Sequence, residues 1–368
     1  MRIGIDARLV YYSHAGIGQY ILRLVEALGR IDTSGDQFVL LQSRKDHTPL
    51  DHDRQFSRVS LWTPSHHRLE QVLMRFEISR LHLDLLHSPD FIPPFWRNCR
   101  SVITVHDLAF LLYPHFLTNE AARYYGQIDQ AVRNCDHIIA VSESTKRDII
   151  RLTGAPEHKI TVVYEAAHPI YRPLQDVQLC QRVKDKFDIC GDFILFVSTI
   201  EPRKNVPTLL MAYKQLLDNY RAPVTLALGG EKGWLFDEVF ALVEKLGLQE
   251  RVRVLGHVSP EDLLGLYNAA KLLVHPAFYE GFGLPPLEAM ACGTPVIVSN
   301  TSSLPEVVGD AALLVDPTDA DGLAVAIWRV LSDNGLRKQM VHKGLQRARL
   351  FSWEKAAQET LAIYRRLA

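Results

Sequence analysis

Two acids, Glu280 and Glu288, stand eight residues apart, and the segment between them, Gly281-Phe282-Gly283-Leu284-Pro285-Pro286, is suited to close approach by a ligand. The apolar run before it, Lys271-Leu272-Leu273-Val274, reads as a buried strand, and Leu287 to Cys292 reads as a helix closed by Gly293. Glycine at 281 and 283 lets backbone N–H groups come near a bound group. Proline at the first helical positions needs no donor and is already set at helical φ. A strand, a glycine loop and a helix N-terminus present orphan N–H groups and the positive end of a dipole to one point, which suits an anion. The two acids cannot face that same anion. They suit hydroxyl donors, such as those of a sugar or a ribose. The ligand these residues describe is a sugar attached to a phosphate.

The spacing Glu280-x7-Glu288, with Gly-Phe-Gly-Leu-Pro inside it, resembles the EX7E signature of the retaining glycosyltransferases of family 4, which have the two-domain GT-B fold. The resemblance runs nearly end to end. It includes Gly16-Ile17-Gly18-Gln19-Tyr20, Val105-His106-Asp107-Leu108, Val141-Ser142-Glu143-Ser144, Glu201-Pro202-Arg203-Lys204-Asn205 and Ser302-Ser303-Leu304-Pro305-Glu306-Val307. EX7E alone is a pattern that chance supplies often. Six motifs in the family's order and approximate spacing are specific.

The elements that must position these residues alternate regularly. Arg2–Asp6, Phe38–Leu41, Leu83–His87, Ser101–Val105 and His137–Val141 read as strands. Between them lie helical segments, among them one from about Gln19 to Leu28 after a loop from Val10 to Gly18, and one from Glu120 to Arg133. Alternating apolar strands and helices predict a parallel sheet covered on both faces. Two prolines near Ala166 to Pro173 interrupt the pattern and suit a linker. The alternation then restarts, with strands at 193–198, 224–228, 252–255, 272–275, 295–299 and 312–315. The expected fold class is α/β, two doubly wound Rossmann-like domains facing a cleft. The expected division is an acceptor-side domain over 1–172, a nucleotide-sugar domain over 173–352 and a last helix over 353–368. Ala356, Ala357, Thr360, Leu361 and Tyr364 lie on one stripe of that helix, and the resemblance implies that it crosses back to the first domain.

Bulk properties exclude several classes. A length of 368 residues allows two full cores, and 47% hydrophobic with 23% charged residues is an ordinary globular composition. A net charge of −1, balanced in both halves, points away from nucleic acid. The five cysteines (Cys99, Cys135, Cys180, Cys190, Cys292) are scattered and suit a reducing cytoplasm. No signal peptide and no membrane-length apolar run are apparent, so the expected location is cytoplasmic, with any membrane contact peripheral at the inner face. The sequence leaves the oligomeric state open.

The diphosphate of a sugar nucleotide must be neutralised by a metal or by protein cations. Asp51-His52-Asp53 is a D-x-D, but it sits in a polar stretch with no strand leading into it, so no metal is expected. The loop Glu201-Pro202-Arg203-Lys204-Asn205 follows the carboxyl end of a strand, where open α/β sheets bind ligands. Arg203 offers a fork and Lys204 a point charge to phosphate oxygens. The resemblance implies that they hold the donor diphosphate and stabilise the leaving group. It also implies that Glu288 accepts from the ribose, that Glu280 and His106 contact the transferred sugar, and that the Gly16–Gly18 loop faces the diphosphate. Gly281, Phe282, Gly283 and Leu284 complete the donor loop. Ser303-x-x-Glu306 reads as a capping box, which explains Glu306 without a site role. The chain departs from the family at Ala15 and Ser198, where relatives often have glycine, and at Ala277, where serine is common. A segment opening at His66-His67-Arg68 carries Leu69, Val72, Leu73 and Phe76 at helical spacing. An ordinary amphipathic helix is expected there, with an acceptor or membrane-surface patch as the other reading.

The function expected from this resemblance is transfer of a hexose from a nucleoside diphosphate to an acceptor hydroxyl with retention of configuration, and no cofactor. The departing phosphate would accept the acceptor's proton, and closure of the two domains would bring the first domain's residues onto the donor. The style of the motifs is similar to bacterial mannosyltransferases of surface polysaccharide, with GDP-mannose as donor and a saccharide or lipid-linked oligosaccharide as acceptor. UDP-linked glucose, galactose or N-acetylglucosamine stays open as donor. So do a GT-B sugar-nucleotide epimerase and a non-catalytic partner subunit. A nicotinamide enzyme is disfavoured, since Gly16-Ile17-Gly18 lacks a third glycine.

Overall fold

The computed structural model describes residues 1–12, 16–33, 35–50, 56–67, 69–114, 119–231, 233 and 236–367. Ala15, Arg68 and the Asp51-His52-Asp53 triplet lie outside the described residues. The chain forms two compact units, Met1–Glu165 with Ser352–Ala368, and Ala166–Phe351.

The first unit is built on seven strands: β1 (Arg2–Asp6), β2 (Gln37–Ser43), β3 (Ser57–Leu61), β4 (Leu85–Ser88), β5 (Arg100–Val105), β6 (His137–Ala140) and β7 (Ile160–Val162). Their order is β3-β2-β1-β4-β5-β6-β7, and every pairing is parallel. Ile3, Ile5, Leu86, Val102, Ile103, Ile138 and Ile139 are fully buried, as both faces of a helix-covered parallel sheet require. The last helix, Trp353–Arg366, belongs to this unit, and the five stripe residues Ala356, Ala357, Thr360, Leu361 and Tyr364 are all buried. The Tyr364 hydroxyl lies 2.6 Å from His87 Nδ1, and Arg365 Nε donates to Asp36 at 2.9 Å.

The second unit repeats the plan with β8 (Asp192–Val197), β9 (Val224–Gly229), β10 (Val252–Gly256), β11 (Leu272–His275), β12 (Val296–Ser299) and β13 (Leu313–Val315). The order is β10-β9-β8-β11-β12-β13, again all parallel. Its core joins Phe196, Leu226, Leu228 and Val274 of the sheet to Leu209, Tyr213 and Ile327 of the helices. The strand order reverses between β8 and β11, which pair through Leu272–Ile194 and Leu273–Leu195. That switch point brings the loops after β8 and β11 side by side, where a doubly wound sheet leaves a crevice for a ligand.

The structure departs from expectation in four places. β3 and β7, the two edge strands of the first sheet, have too little continuous apolar sequence to announce themselves. The helix expected from Glu120 to Arg133 is two, Asn119–Tyr125 and Ile128–Asn134, broken at Gly126-Gln127. The helix expected from Gln19 begins at Gly16, so Gly16 and Gly18 occupy its first turn rather than a loop. The fourth is the helix Glu70–Ser79, which turns Glu70, Met74 and Ile78 inward and leaves Leu69, Val72, Leu73 and Phe76 exposed. The reason is electrostatic. Arg8, buried beside Asp6, takes Glu70 as its second carboxylate, and that pair fixes the rotation of the helix.

Candidate active site

The loop after β8 runs through a short 3-10 turn, Pro202–Lys204, into the helix Val206–Tyr220. Asn205 joins them in the left-handed region (φ 59°). Its amide holds that conformation by donating to the Pro276 carbonyl at 2.9 Å and the Pro317 carbonyl at 2.6 Å. The turn is thereby tied to the loop after β11, and Phe278 N–H donates to the Arg203 carbonyl at 2.8 Å.

Four charged side chains meet across these loops. Lys204 Nζ donates to Glu280 Oε1 at 2.5 Å, and both residues are buried. Arg203 pairs with Glu201 at 2.7 Å, reaches Glu280 Oε2 at 3.5 Å and donates to the Tyr279 carbonyl at 3.3 Å. His275, the last residue of β11, is wholly buried, with Nε2 at 2.6 Å from the same Glu280 Oε1. Burial pulls the Glu280 carboxyl upward. The Lys204 charge, the His275 hydrogen bond and the Arg203 charge outweigh it and hold Glu280 well below the ordinary carboxylate range. Burial and the neighbouring Arg203 lower Lys204. Burial also lowers His275, which favours the neutral imidazole, and the ionised Glu280 beside it favours the tautomer with the proton on Nε2.

Glu288 lies in a different environment. It sits on the helix Leu284–Ala291, half-buried, and accepts from the Tyr267 hydroxyl at 2.8 Å. Burial pushes its carboxyl up to about 7, against the smaller opposing effect of the Tyr267 bond. The two acids of the motif are therefore one firmly ionised carboxylate and one poised near neutrality.

The glycine loop between them is rigidly held. Gly283 has φ 103°, and a Cβ there would come within 2.7 Å of Leu304 Cδ2. Ser303 Oγ donates to the Glu280 carbonyl at 2.9 Å and the Phe282 carbonyl at 2.8 Å, and Glu280 N–H donates to Ser302 Oγ at 3.0 Å. This corrects the capping-box expectation. Ser303 makes no side-chain cap on the helix Leu304–Val308, because its hydroxyl is engaged by the glycine loop. The Phe282 ring is buried edge-on against Phe351, centroids 5.7 Å apart, so its side chain is a packing group.

In the first unit, His106 follows β5 and is fixed at both nitrogens, Nδ1 at 2.9 Å from Glu165 and Nε2 at 3.0 Å from the Pro89 carbonyl. Tyr20 meets its ring edge-on at 4.7 Å. Two acceptors on one imidazole favour the doubly protonated form. Burial works against it, and the Glu165 hydrogen bond and charge prevail, raising His106. A raised histidine stabilises the fold fully below its unfolded value of about 6.5 and loses that contribution as pH rises through its native value. Thermal denaturation across that range should show the loss in the wild type and a flatter profile in Glu165→Gln. Identical profiles would refute a charged His106.

Residues 14–168 match the family described as Glycosyltransferase Family 4, and residues 182–347 match Glycosyl transferases group 1. The chain is 34% identical over 383 residues to the O-antigen chain mannosyltransferase B of Escherichia coli, covering 100% of both chains. The chain belongs to glycosyltransferase family 4. It is also 30% identical, over 73% of its length, to the serotype-specific mannosyltransferase WbdA of Escherichia coli, of which the match spans 34%. Among solved structures, sucrose-phosphate synthase from Thermosynechococcus elongatus superposes with a TM-score of 0.80 at 24% identity, covering 100% of this chain and 99% of that one. WaaG, a glycosyltransferase involved in lipopolysaccharide biosynthesis, superposes with a TM-score of 0.77 at 17% identity, each chain covered at 99%. These likenesses carry the GT-B fold.

In this glycosyltransferase the structure brings Arg203, Lys204 and Glu280 into one cluster and places Glu288 on the next helix. Gly281, Gly283 and Leu284 lie in the connecting loop and first turn. His106, Gly16 and Gly18 belong to the first unit. Sequence reasoning missed His275, Glu201, Tyr267 and Glu165. His275 carried a usable signal, since it ends an apolar strand five residues before Glu280. Tyr267 and Glu165 are brought in by tertiary packing alone. Among the described residues no helix is long and apolar enough to cross a membrane, and no three metal-ligating side chains gather in one place.

Proposed function

We propose that this glycosyltransferase moves mannose from GDP-mannose to a saccharide or lipid-linked oligosaccharide acceptor in bacterial surface polysaccharide synthesis, with retention and without a metal. The observation that carries the chemistry is the buried Lys204–Glu280–His275 cluster with Arg203 at the switch point of the second sheet. It gathers cations where a leaving diphosphate needs them, in a site of low dielectric where each is worth more than in water. The choice of mannose rests on the full-length similarity to an O-antigen mannosyltransferase.

The roles proposed here are those the family resemblance implies, and the clustering of Arg203, Lys204 and Glu280 supports them. Arg203 and Lys204 neutralise the diphosphate, Glu280 accepts from hydroxyls of the transferred sugar, and the loop Gly281–Leu284 lies over the phosphates. Glu288 accepts from the ribose. His106, Gly16 and Gly18 keep the roles that the resemblance implies. The acceptor hydroxyl attacks from the face the diphosphate leaves, and the departing phosphate oxygen takes its proton. The enzyme acts in the cytoplasm, peripherally at the membrane's inner face.

The test is direct. The enzyme is incubated in chelator with GDP-mannose or a UDP-sugar and an oligomannose acceptor, and nucleotide release and the anomeric proton of the product are followed by NMR. GDP release with an α-linked product is expected. Turnover of UDP-sugars alone would overturn the donor, an inverted product the stereochemistry, and activity abolished by chelator the metal independence.

A further inference from the structure

The linker segment that opens the second unit is packed against the residue that holds Glu288. From 171 to 176 the chain has no regular structure, and Arg172 and Pro173 are exposed. Tyr171 turns inward instead, its buried ring edge-on to Tyr267 with centroids 5.4 Å apart. Pro173 has no N–H and biases Arg172 toward an extended backbone. The Arg172 carbonyl and the Leu174 N–H then face one side, and Asn268 takes both, donating through Nδ2 at 3.0 Å and accepting through Oδ1 at 2.8 Å. A side-chain amide thus satisfies this stretch as a neighbouring strand would.

Tyr267 and Asn268 are neighbours on the last turn of the helix Pro260–Ala269, about 100° apart around its axis, so they reach different partners. Tyr267 is wholly buried and donates to Glu288 Oε2 at 2.8 Å. Thr294 Oγ1 donates to the Tyr267 carbonyl, and the Asn268 amide also returns to the Leu264 carbonyl at 2.9 Å, so both side chains stand on a fixed backbone. Among the described residues no donor meets Glu288 Oε1, which leaves that oxygen to a ligand. A phenol is a neutral donor. It aims the carboxylate without the charge by which Lys204 holds Glu280 ionised, so Glu288 stays responsive to what it binds.

We propose that Tyr267 is the positioning residue of Glu288, and that Tyr171 and Asn268 make the linker the back wall of the nucleoside subsite, so that the seating of the linker sets nucleotide affinity. This rests on the reading that Glu288 accepts from the ribose. A shift of the helix turn by about 0.5 Å carries the phenol oxygen out of the usual O–H···O range of about 2.5–3.0 Å. The titratable groups facing Glu288 are Tyr267, Cys292 at the end of its own helix and, behind Tyr267, Tyr171, with the His168 ring 6.1 Å from Tyr171. Burial pushes Tyr267 and Cys292 upward, away from neutrality. Burial also raises Glu288 to about 7, and the Tyr267 bond opposes it. Loss of that bond moves Glu288 further up, and with it the pH at which nucleotide binding tightens.

Calorimetric titration of the whole chain tests this with whichever of GDP and UDP the wild type binds more tightly, from about pH 6 to about pH 9, either side of the Glu288 value of about 7. Tyr267→Phe keeps the ring that Tyr171 packs on. It should weaken binding on the order of tenfold near neutral pH, with the midpoint of the pH dependence moved up. Asn268→Ala should weaken it by about threefold, and the double variant no more than Tyr267→Phe alone, since both act on one bond. Where Asn268→Ala fails to fold, Tyr171→Leu, which removes the ring contact, takes its place in the cycle. Losses that add in the double variant would overturn the linker's part. A Tyr267→Phe loss equal at every pH is what altered packing alone gives, and would overturn the positioning role. Glu288→Gln separates the two readings. Weak, pH-independent binding there with wild-type binding in Tyr267→Phe overturns this proposal alone, whereas wild-type binding in Glu288→Gln overturns the ribose reading and the proposal with it.

Discussion

Replacing Lys204 with alanine should lower kcat for sugar transfer by about 10²–10³-fold, the range seen when one preorganised donor to a developing negative charge is removed. The ammonium is buried, so its effect on a leaving diphosphate is little screened. Lys204→Arg should recover little, because a planar fork cannot occupy the slot of a compact ammonium 2.5 Å from Glu280. The same variant makes a second, independent prediction. Removing one partner of a buried pair costs about 3–5 kcal/mol when the other charge is left unpaired. Here His275 lies 2.6 Å from the same carboxylate oxygen and is lowered by burial, with the Lys204 charge contributing. Without Lys204, His275 should take up a proton and replace the missing charge. That rescue is complete in acid and lost as pH rises through the new histidine value. Urea denaturation at about pH 5.5 and about pH 8 should therefore show a smaller deficit at the lower pH, either side of the ordinary imidazole value. Equal deficits would mean that His275 does not exchange protons with the cluster.

The same chemical change at the two acids of the motif should have opposite weight. Glu280→Gln removes the carboxylate on which Lys204, His275 and Arg203 converge, and should cost about 3–5 kcal/mol. Glu288→Gln replaces a group that burial already holds near half-protonation, and should stay within about 1 kcal/mol of wild type at neutral pH. The pH dependences differ in sign. Glu280 is depressed, so its contribution is present above the unfolded carboxylate value of about 4.3 and disappears as pH falls through the lower native value. Glu288 is raised to about 7, so its contribution is present in acid and lost as pH rises toward and through 7. Nucleotide affinity should follow the second pattern inversely, tightening as Glu288 ionises and becoming flat in Glu288→Gln. Denaturation and calorimetric titration across pH distinguish the two. Equal destabilisation by both variants would refute the division of roles.

That division was invisible at the level of sequence, where both residues are glutamates at a fixed spacing. What separates them is a third residue in each case, Lys204 from the other loop and Tyr267 from the helix Pro260–Ala269. The sheets were readable because parallel strands buried on both faces are continuous apolar runs, and eleven of thirteen announced themselves that way. β3 did not, since Ser57, Arg58 and Ser60 face solvent at the sheet edge. The stripe of the helix Glu70–Ser79 is legible in the sequence, but whether it faces the core or the surface is not. Periodicity shows that a helix has an apolar face, and the Arg8–Glu70 pair together with the buried Met74 and Ile78 accounts for which way it turns.

The first unit is discontinuous, since Ser352–Ala368 completes what Met1–Glu165 begins. On the ribosome this inverts the usual order. The second unit is contiguous, from Ala166 to Phe351, and has all its strands once that segment has emerged. The first unit, although synthesised earlier, must wait for the chain's last helix to cover the surface that receives Trp353, Ala357 and Tyr364. Until then the N-terminal half carries an uncovered apolar surface, the kind that recruits chaperones during synthesis. A chain stopped short of residue 353 would hold that state permanently, so loss of only the final helix should be read out as aggregation and degradation in the cell.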